Sequence, residues 1–172
     1  MEETRFTEQT GNAFVIPERA GEAALTTGKT PHMQLNQLSP VALQDELWER
    51  MISLPTVIPG RSEISMYDTR ALLLSPEEAA LGEPEAFPPG LTEFAHIHGP
   101  RDGSLHINLP RSEARQVVDK KWGEFHPIVG MGLWPPVMVM VFGPRDEDEL
   151  ATVWRLVQRS YSFALGELRN VP

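Results

Sequence analysis

The chain has 172 residues, 41% of them hydrophobic and 23% charged, with a formal net charge of −9. That is enough chain for one domain with its own core, and the acidic balance argues against broad electrostatic binding to nucleic acid or to an anionic membrane. There is no cysteine, which excludes disulfides, thiolate metal sites and a cysteine nucleophile. No apolar run approaches the roughly 18 residues that a spanning helix needs. The start, Met1-Glu2-Glu3-Thr4-Arg5, lacks the basic and apolar regions of a signal peptide. The expectation is a cytoplasmic protein with no nucleic-acid or membrane partner.

Residues 1–37 are polar, with scattered Gly and Pro and little periodicity. They read as an extended, partly disordered arm, with Phe14-Val15-Ile16 and Met33-Gln34-Leu35 as apolar spots that can lie on the body. A relaxed phosphate-loop pattern ends at Gly28-Lys29-Thr30. It is rejected, because no strand precedes it and Pro31 follows at once. Residues 38–172 read as a single domain.

Ser39-Pro40 starts a helix marked by Leu43, Leu47 and Met51. Pro59-Gly60 reads as a turn, and two strands are expected over 62–67 and 70–74. Ser75-Pro76 opens a short capped turn with Glu78. A proline-rich connection then runs to Leu91, long enough to cover a neighbouring face.

Glu93 to Pro110, EFAHIHGPRDGSLHINLP, reads as a β-hairpin. Ala95 and Ile97 alternate on one arm, and Leu105, Ile107 and Leu109 on the other. A three-residue loop at Arg101-Asp102-Gly103 would close it. That loop sets His98 opposite His106 and His96 opposite Asn108. All lie on the face away from the apolar residues. Opposed Cβ atoms are about 4.5–5.5 Å apart, so His96, His98 and His106 can converge on one ion. Three imidazoles with open positions suit Zn, Fe or Cu. A solvated sheet face would carry the same polar pattern.

A helix is expected over 111–121, with Ala114, Val117, Val118 and Trp122 inward. Trp122 to Pro127 reads as a loop that carries His126, a fourth candidate. Val137 to Phe142 is a continuous apolar strand, expected to be central. Its Met138 and Met140 read as core filler. Asp146, Glu147, Asp148 and Glu149 suit the first turn of a long final helix, whose Arg155 and Arg159 are expected in solvent. The whole reads as α+β: an antiparallel sheet of about five strands with helices packed on one face.

Several stretches together resemble the luciferase-domain proteins of actinobacteria and fungi. They are Pro31-His32-Met33-Gln34-Leu35, Glu93 to His98, Asp102 to His106, Trp122-Gly123-Glu124 with His126-Pro127, and Gly143 to Glu147. The resemblance runs from about Thr30 to Phe163, so the domain is expected to be luciferase-like. Phe125 departs from it, where a smaller residue or proline is expected. The resemblance brings no catalytic residue with it. The order of elements is also similar to the MmcQ/YjbR-like fold, an analogy of order alone.

Two functions follow as expectations. The first is an enzyme or binding protein for a small molecule, of tailoring or cyclisation type in bacterial secondary metabolism. It would use His96, His98, His106 and His126 as catalytic groups, with a transition metal on the first three or as plain acids and bases. Glu93 or Asn108 would orient them. The second is a non-catalytic module that uses the outer sheet face for a protein partner or a homodimer. Oxidation of a luciferin is a third reading, taken from the family name alone.

Overall fold

The computed structural model describes residues 13–66 and 68–170. The expected arm therefore lies partly outside the described residues. The elements in order are α1 (Val41–Ile52), β1 (Ile58–Arg61), β2 (Arg70–Leu73), α2 (Pro76–Leu81), β3 (Glu93–Ile97), β4 (Leu105–Asn108), α3 (Arg111–Asp119), β5 (Gly123–Phe125), α4 (Pro127–Gly130), β6 (Met138–Val141) and α5 (Glu147–Ala164). The strands form one antiparallel sheet in the order β1-β2-β3-β4-β6-β5. The fold class is α+β, with six strands where about five were expected.

One sheet face carries the main core. Leu72, Ala95, Ile97, Leu105, Ile107, Val139 and Val141 pack there against Leu47 and Met51 of α1, Ala114 and Val117 of α3, and Leu150, Val153 and Val157 of α5. Burial of a side chain of this size stabilises by roughly 1.5–3 kcal/mol, so the period-two and period-3.6 patterns meet in one layer. Asp146 caps α5, its side chain accepting from Glu149 N at 2.9 Å.

Several expectations are corrected. Residues 62–66 form no strand. Ser62 N still reaches Thr69 O at 3.0 Å, but the Glu93 carboxylate then takes Ser62 Oγ at 2.9 Å and Glu63 N at 3.2 Å, and the pairing ends there. The edge strand lies earlier, and Pro59 is tolerated there because an edge leaves donors unpaired. Gly123 to Phe125, read as loop, pairs with β6. Arg155 and Arg159 do not point freely into solvent. Their guanidinium carbons sit 5.2 and 4.9 Å from the centre of the Phe14 ring, and Arg159 also pairs with Glu113.

The hairpin register also differs. His96 pairs with His106, Ala95 with Ile107 and Ile97 with Leu105, and His98 N donates to Ser104 O at 2.9 Å. The loop is therefore longer than the expected three residues. Asp102 N and Gly103 N both return to Gly99 O, with Gly103 at φ 73°. Every opposed partner moves by two positions. Because side chains alternate with period two, the histidines keep their face.

Candidate functional site

That second face is covered. Residues 24–34 lie over it: Thr26 Oγ1 donates to Glu124 at 2.6 Å and Gln34 N donates to Asp102 at 3.2 Å. A small apolar cluster of Ala24, Met140 and Phe142 lies beneath. On the far side the proline-rich connection closes in, and Asn108 Nδ2 donates to Ala86 O at 2.8 Å. The histidine face of the hairpin is not solvated: His96, His98 and His106 are only 4, 7 and 6% exposed.

One row of opposed residues crosses the sheet: Ala71, His96, His106, Met140 and Glu124. Ala71 leaves room beside His96. The arm lays His32 over this row between His106 and Glu124, with bonds to both. His98 follows two residues after His96, and His126 begins α4 directly after β5. All five histidines of the chain thus meet, with neighbouring rings 4.7–5.4 Å apart between centres.

Carboxylates flank the cluster. Glu93 Oε1 lies 2.6 Å from His96 Nδ1, Asp102 Oδ2 lies 2.7 Å from His98 Nδ1, and Glu124 Oε1 lies 2.6 Å from His32 Nε2. Among the described residues these three carboxylates have histidines, and no lysine or arginine, as ion-pair partners. Each acid fixes a tautomer by taking the N–H on its side. Ser62 and Glu63 N hold Glu93, Gln34 N and Ser104 N hold Asp102, and Thr26 Oγ1 holds Glu124.

The opposite nitrogens of His96 and His32 are then lone pairs, and both face His106. His96 Nε2 is 2.9 Å from His106 Nδ1, and His32 Nδ1 is 3.0 Å from His106 Nε2. The run Glu93–His96–His106–His32–Glu124 contains four links, and each link needs one proton. Three neutral imidazoles supply three. The fourth comes from an imidazolium or from a protonated carboxyl group, or a cation takes its place.

Burial opposes the imidazolium. Desolvation, then the neighbouring His96, His98, His126 and His32, hold His106 well below the ordinary histidine range. His96 is also lowered by burial, partly offset by Glu93. His126 is pushed down to about 4, by desolvation first and by the neighbouring histidines after it. Asp102 is lowered although burial raises it, because bonds from His98 and Ser104 outweigh the burial. Glu124 is lowered chiefly by its bond to His32. His96, His106 and His126 therefore prefer the neutral form and Asp102 and Glu124 the ionised one, the donor state that transition metals bind.

Two overlapping trios bring ring nitrogens within 4.8 Å of one another: His96, His98 and His106, and His32, His106 and His126. The first is the trio expected from the sequence, and His126 joins the second. His32, Glu124 and Asp102 were not expected at the site. His32 and Glu124 lie inside stretches that carry the family resemblance. Asp102 was read only as a turn residue, yet its carboxylate faces back towards His98. A narrow cleft beside the cluster is lined by Ile64, Pro88, His96, His106, Asn108 and Met138 among others. Asn108 Oδ1 is buried there without a partner.

Comparison with known proteins gives a family match to the part of the chain that carries His96, His98, His106 and His126. Residues 91–160 match the family model of the luciferase domain. A luciferase of Armillaria gallica is 29% identical over 172 residues, covering 91% of this chain and 64% of that protein. One of Armillaria mellea is 27% identical over 167 residues, covering 88% of this chain and 62% of that protein. A luciferase of Neonothopanus nambi is 34% identical over 77 residues, covering 44% of this chain and 29% of that protein. The chain thus spans less than two thirds of the length of these curated relatives. No solved structure gives a significant match, so the MmcQ/YjbR-like order stays an analogy. Through the hairpin, β6 and most of α5, residues 91–160 match the luciferase domain, and the chain is similar to these fungal luciferases.

Proposed function

We propose that this protein is an enzyme that acts on a small organic molecule, with the buried histidine cluster as its working centre and a transition metal held by that cluster. The observation that carries the reading is the meeting of three histidines at His106. Two histidine lone pairs face this ring from opposite sides, at 2.9 and 3.0 Å. A metal ion satisfies lone pairs where a neutral imidazole cannot. Imidazole donors without thiolates suit Zn, Cu or Fe. A bound ion would supply activation of water or dioxygen. The fungal relatives are named luciferases, a name for oxidising enzymes, and oxidation of a small organic substrate is the reaction class we take from it.

The chain's own residues have separate tasks. Glu93, Asp102 and Glu124 hold protons on the outer nitrogens and aim the inner ones. The arm and the proline-rich connection keep bulk water from the cluster. Asn108 Oδ1 can accept a hydrogen bond from a water in the cleft, whose free volume of about 10 Å³ holds no more than one, and an unpartnered buried oxygen costs about 1–3 kcal/mol. Partner docking on the outer sheet face has less support, because the chain itself covers that face.

The test is elemental analysis of protein purified without an affinity tag, beside His98→Ala. The expected result is near-stoichiometric transition metal in the parent and its loss in the variant. A parent that takes up no metal even after reconstitution would sink the reading.

A further inference from the structure

We propose that the centre is dinuclear, with His106 bridging two divalent transition-metal ions as an imidazolate. This rests on the metal reading above and extends it. The two candidate trios share one residue, and that residue is His106. Its nitrogens lie on different sides of the ring. Nδ1 faces His96 Nε2 at 2.9 Å, and Nε2 faces His32 Nδ1 at 3.0 Å. A single ion cannot bond both nitrogens of one imidazole, so one ion would satisfy one trio and leave the other without its third ligand.

Each flank is already built. On the Nδ1 side, Glu93 and Asp102 engage Nδ1 of His96 and His98, which leaves their Nε2 atoms for an ion. On the Nε2 side, Glu124 engages Nε2 of His32 and leaves Nδ1. His126 is the adaptable member. Its Nδ1 accepts Ile128 N at 3.3 Å, a long bond given up if the ring proton moves to Nδ1 and Nε2 ligates. Tetrahedral metal–nitrogen bonds of about 2.0–2.1 Å set ligand atoms roughly 3.3–3.4 Å apart. The trios, at up to 4.8 Å, therefore contract by about an ångström or more when an ion binds.

Charge agrees. Two divalent ions bring four positive charges. Three carboxylates whose ion-pair partners among the described residues are histidines, together with one imidazolate, bring four negative ones. In the step itself, the N–H bond of His106 breaks, two metal–nitrogen bonds form, and the proton leaves to the buffer. No electron is transferred.

The experiment titrates the metal-free full-length chain with Cu(II), then measures copper per chain after desalting and the electron paramagnetic resonance intensity. We expect two ions per chain and a resonance far weaker than two isolated Cu(II) ions would give, because the imidazolate couples their spins. His126→Ala, at a half-buried position, is expected to keep one ion with full intensity. One ion in the parent would overturn the bridge and leave the metal reading standing. Two ions at full intensity would also overturn the bridge. No bound ion would overturn both.

Discussion

His106 stands between two histidine lone pairs, with His96 Nε2 at 2.9 Å on one side and His32 Nδ1 at 3.0 Å on the other. The two partners come from distant places. His96 faces His106 across the hairpin, while His32 arrives on the amino-terminal arm. The centre therefore depends on the arm being in place, on the hairpin register and on the acids behind each ring.

The acid behind His96 is expected to set metal affinity. Glu93 is buried and bonds His96 Nδ1 at 2.6 Å. Glu93→Gln keeps the shape and removes the charge. Loss of such an orienting carboxylate typically lowers metal affinity about 10–100-fold. Competition with a chromogenic chelator measures this, with circular dichroism to show that the fold is kept. Unchanged affinity would mean that Glu93 serves only to hold the 62–66 loop.

Acid is expected to destabilise the metal-free protein. His126 falls from the ordinary 6.5 to about 4 on folding, and His96 and His106 are lowered too. Below pH 6.5 the unfolded chain binds protons that the folded chain refuses, so stability rises with pH in this window. The contribution is fully present above about pH 6.5 and is lost as the pH falls towards 4. Urea unfolding at pH 8, 6.5, 5 and 4 follows it. A midpoint that is flat between pH 7 and 5 would contradict the neutral buried cluster.

The arm is expected to be coupled to the centre through Arg19. This side chain is 2% exposed and pairs with Glu149 at 3.2 Å. Arg145 also pairs with Glu149, so the acid keeps a cation when Arg19 is removed. Arg19→Ala should then cost on the order of 2–3 kcal/mol, less than a fully orphaned buried charge. Metal affinity should fall with it as His32 loosens. A stability loss with full affinity would show that His32 is held by other contacts.

Gly123 is expected to tolerate no side chain. A Cβ there would lie 1.8 Å from Met140 O in the neighbouring strand. Gly123→Ala must push β5 from β6, at roughly 1–3 kcal/mol or more. Glu124 is the next residue, so the acid behind His32 moves as well. Thermal unfolding and metal titration should both register the change.

The hairpin was legible because period-two alternation is strong over Ala95, Ile97, Leu105 and Ile107. The error in loop length did no harm to the face, since the partners moved by two positions. The same alternation misled at Ile64 and Met66, because the Glu93 carboxylate takes Ser62 Oγ and Glu63 N and ends the pairing. His32 lay in a segment with no period, and its place is set by tertiary contacts with His106 and Glu124. Glu124 sits in a three-residue strand, too short for any pattern to declare. Both were marked only by the family stretches that contain them.

The most direct test of the metal centre is X-ray absorption at the edge of the bound metal, on full-length protein purified without a tag. The expected spectrum has a first shell of nitrogen at about 2.0–2.1 Å, with the outer-shell scattering of several imidazole rings. A first shell of oxygen without imidazole scattering would place the ion elsewhere and contradict the histidine centre.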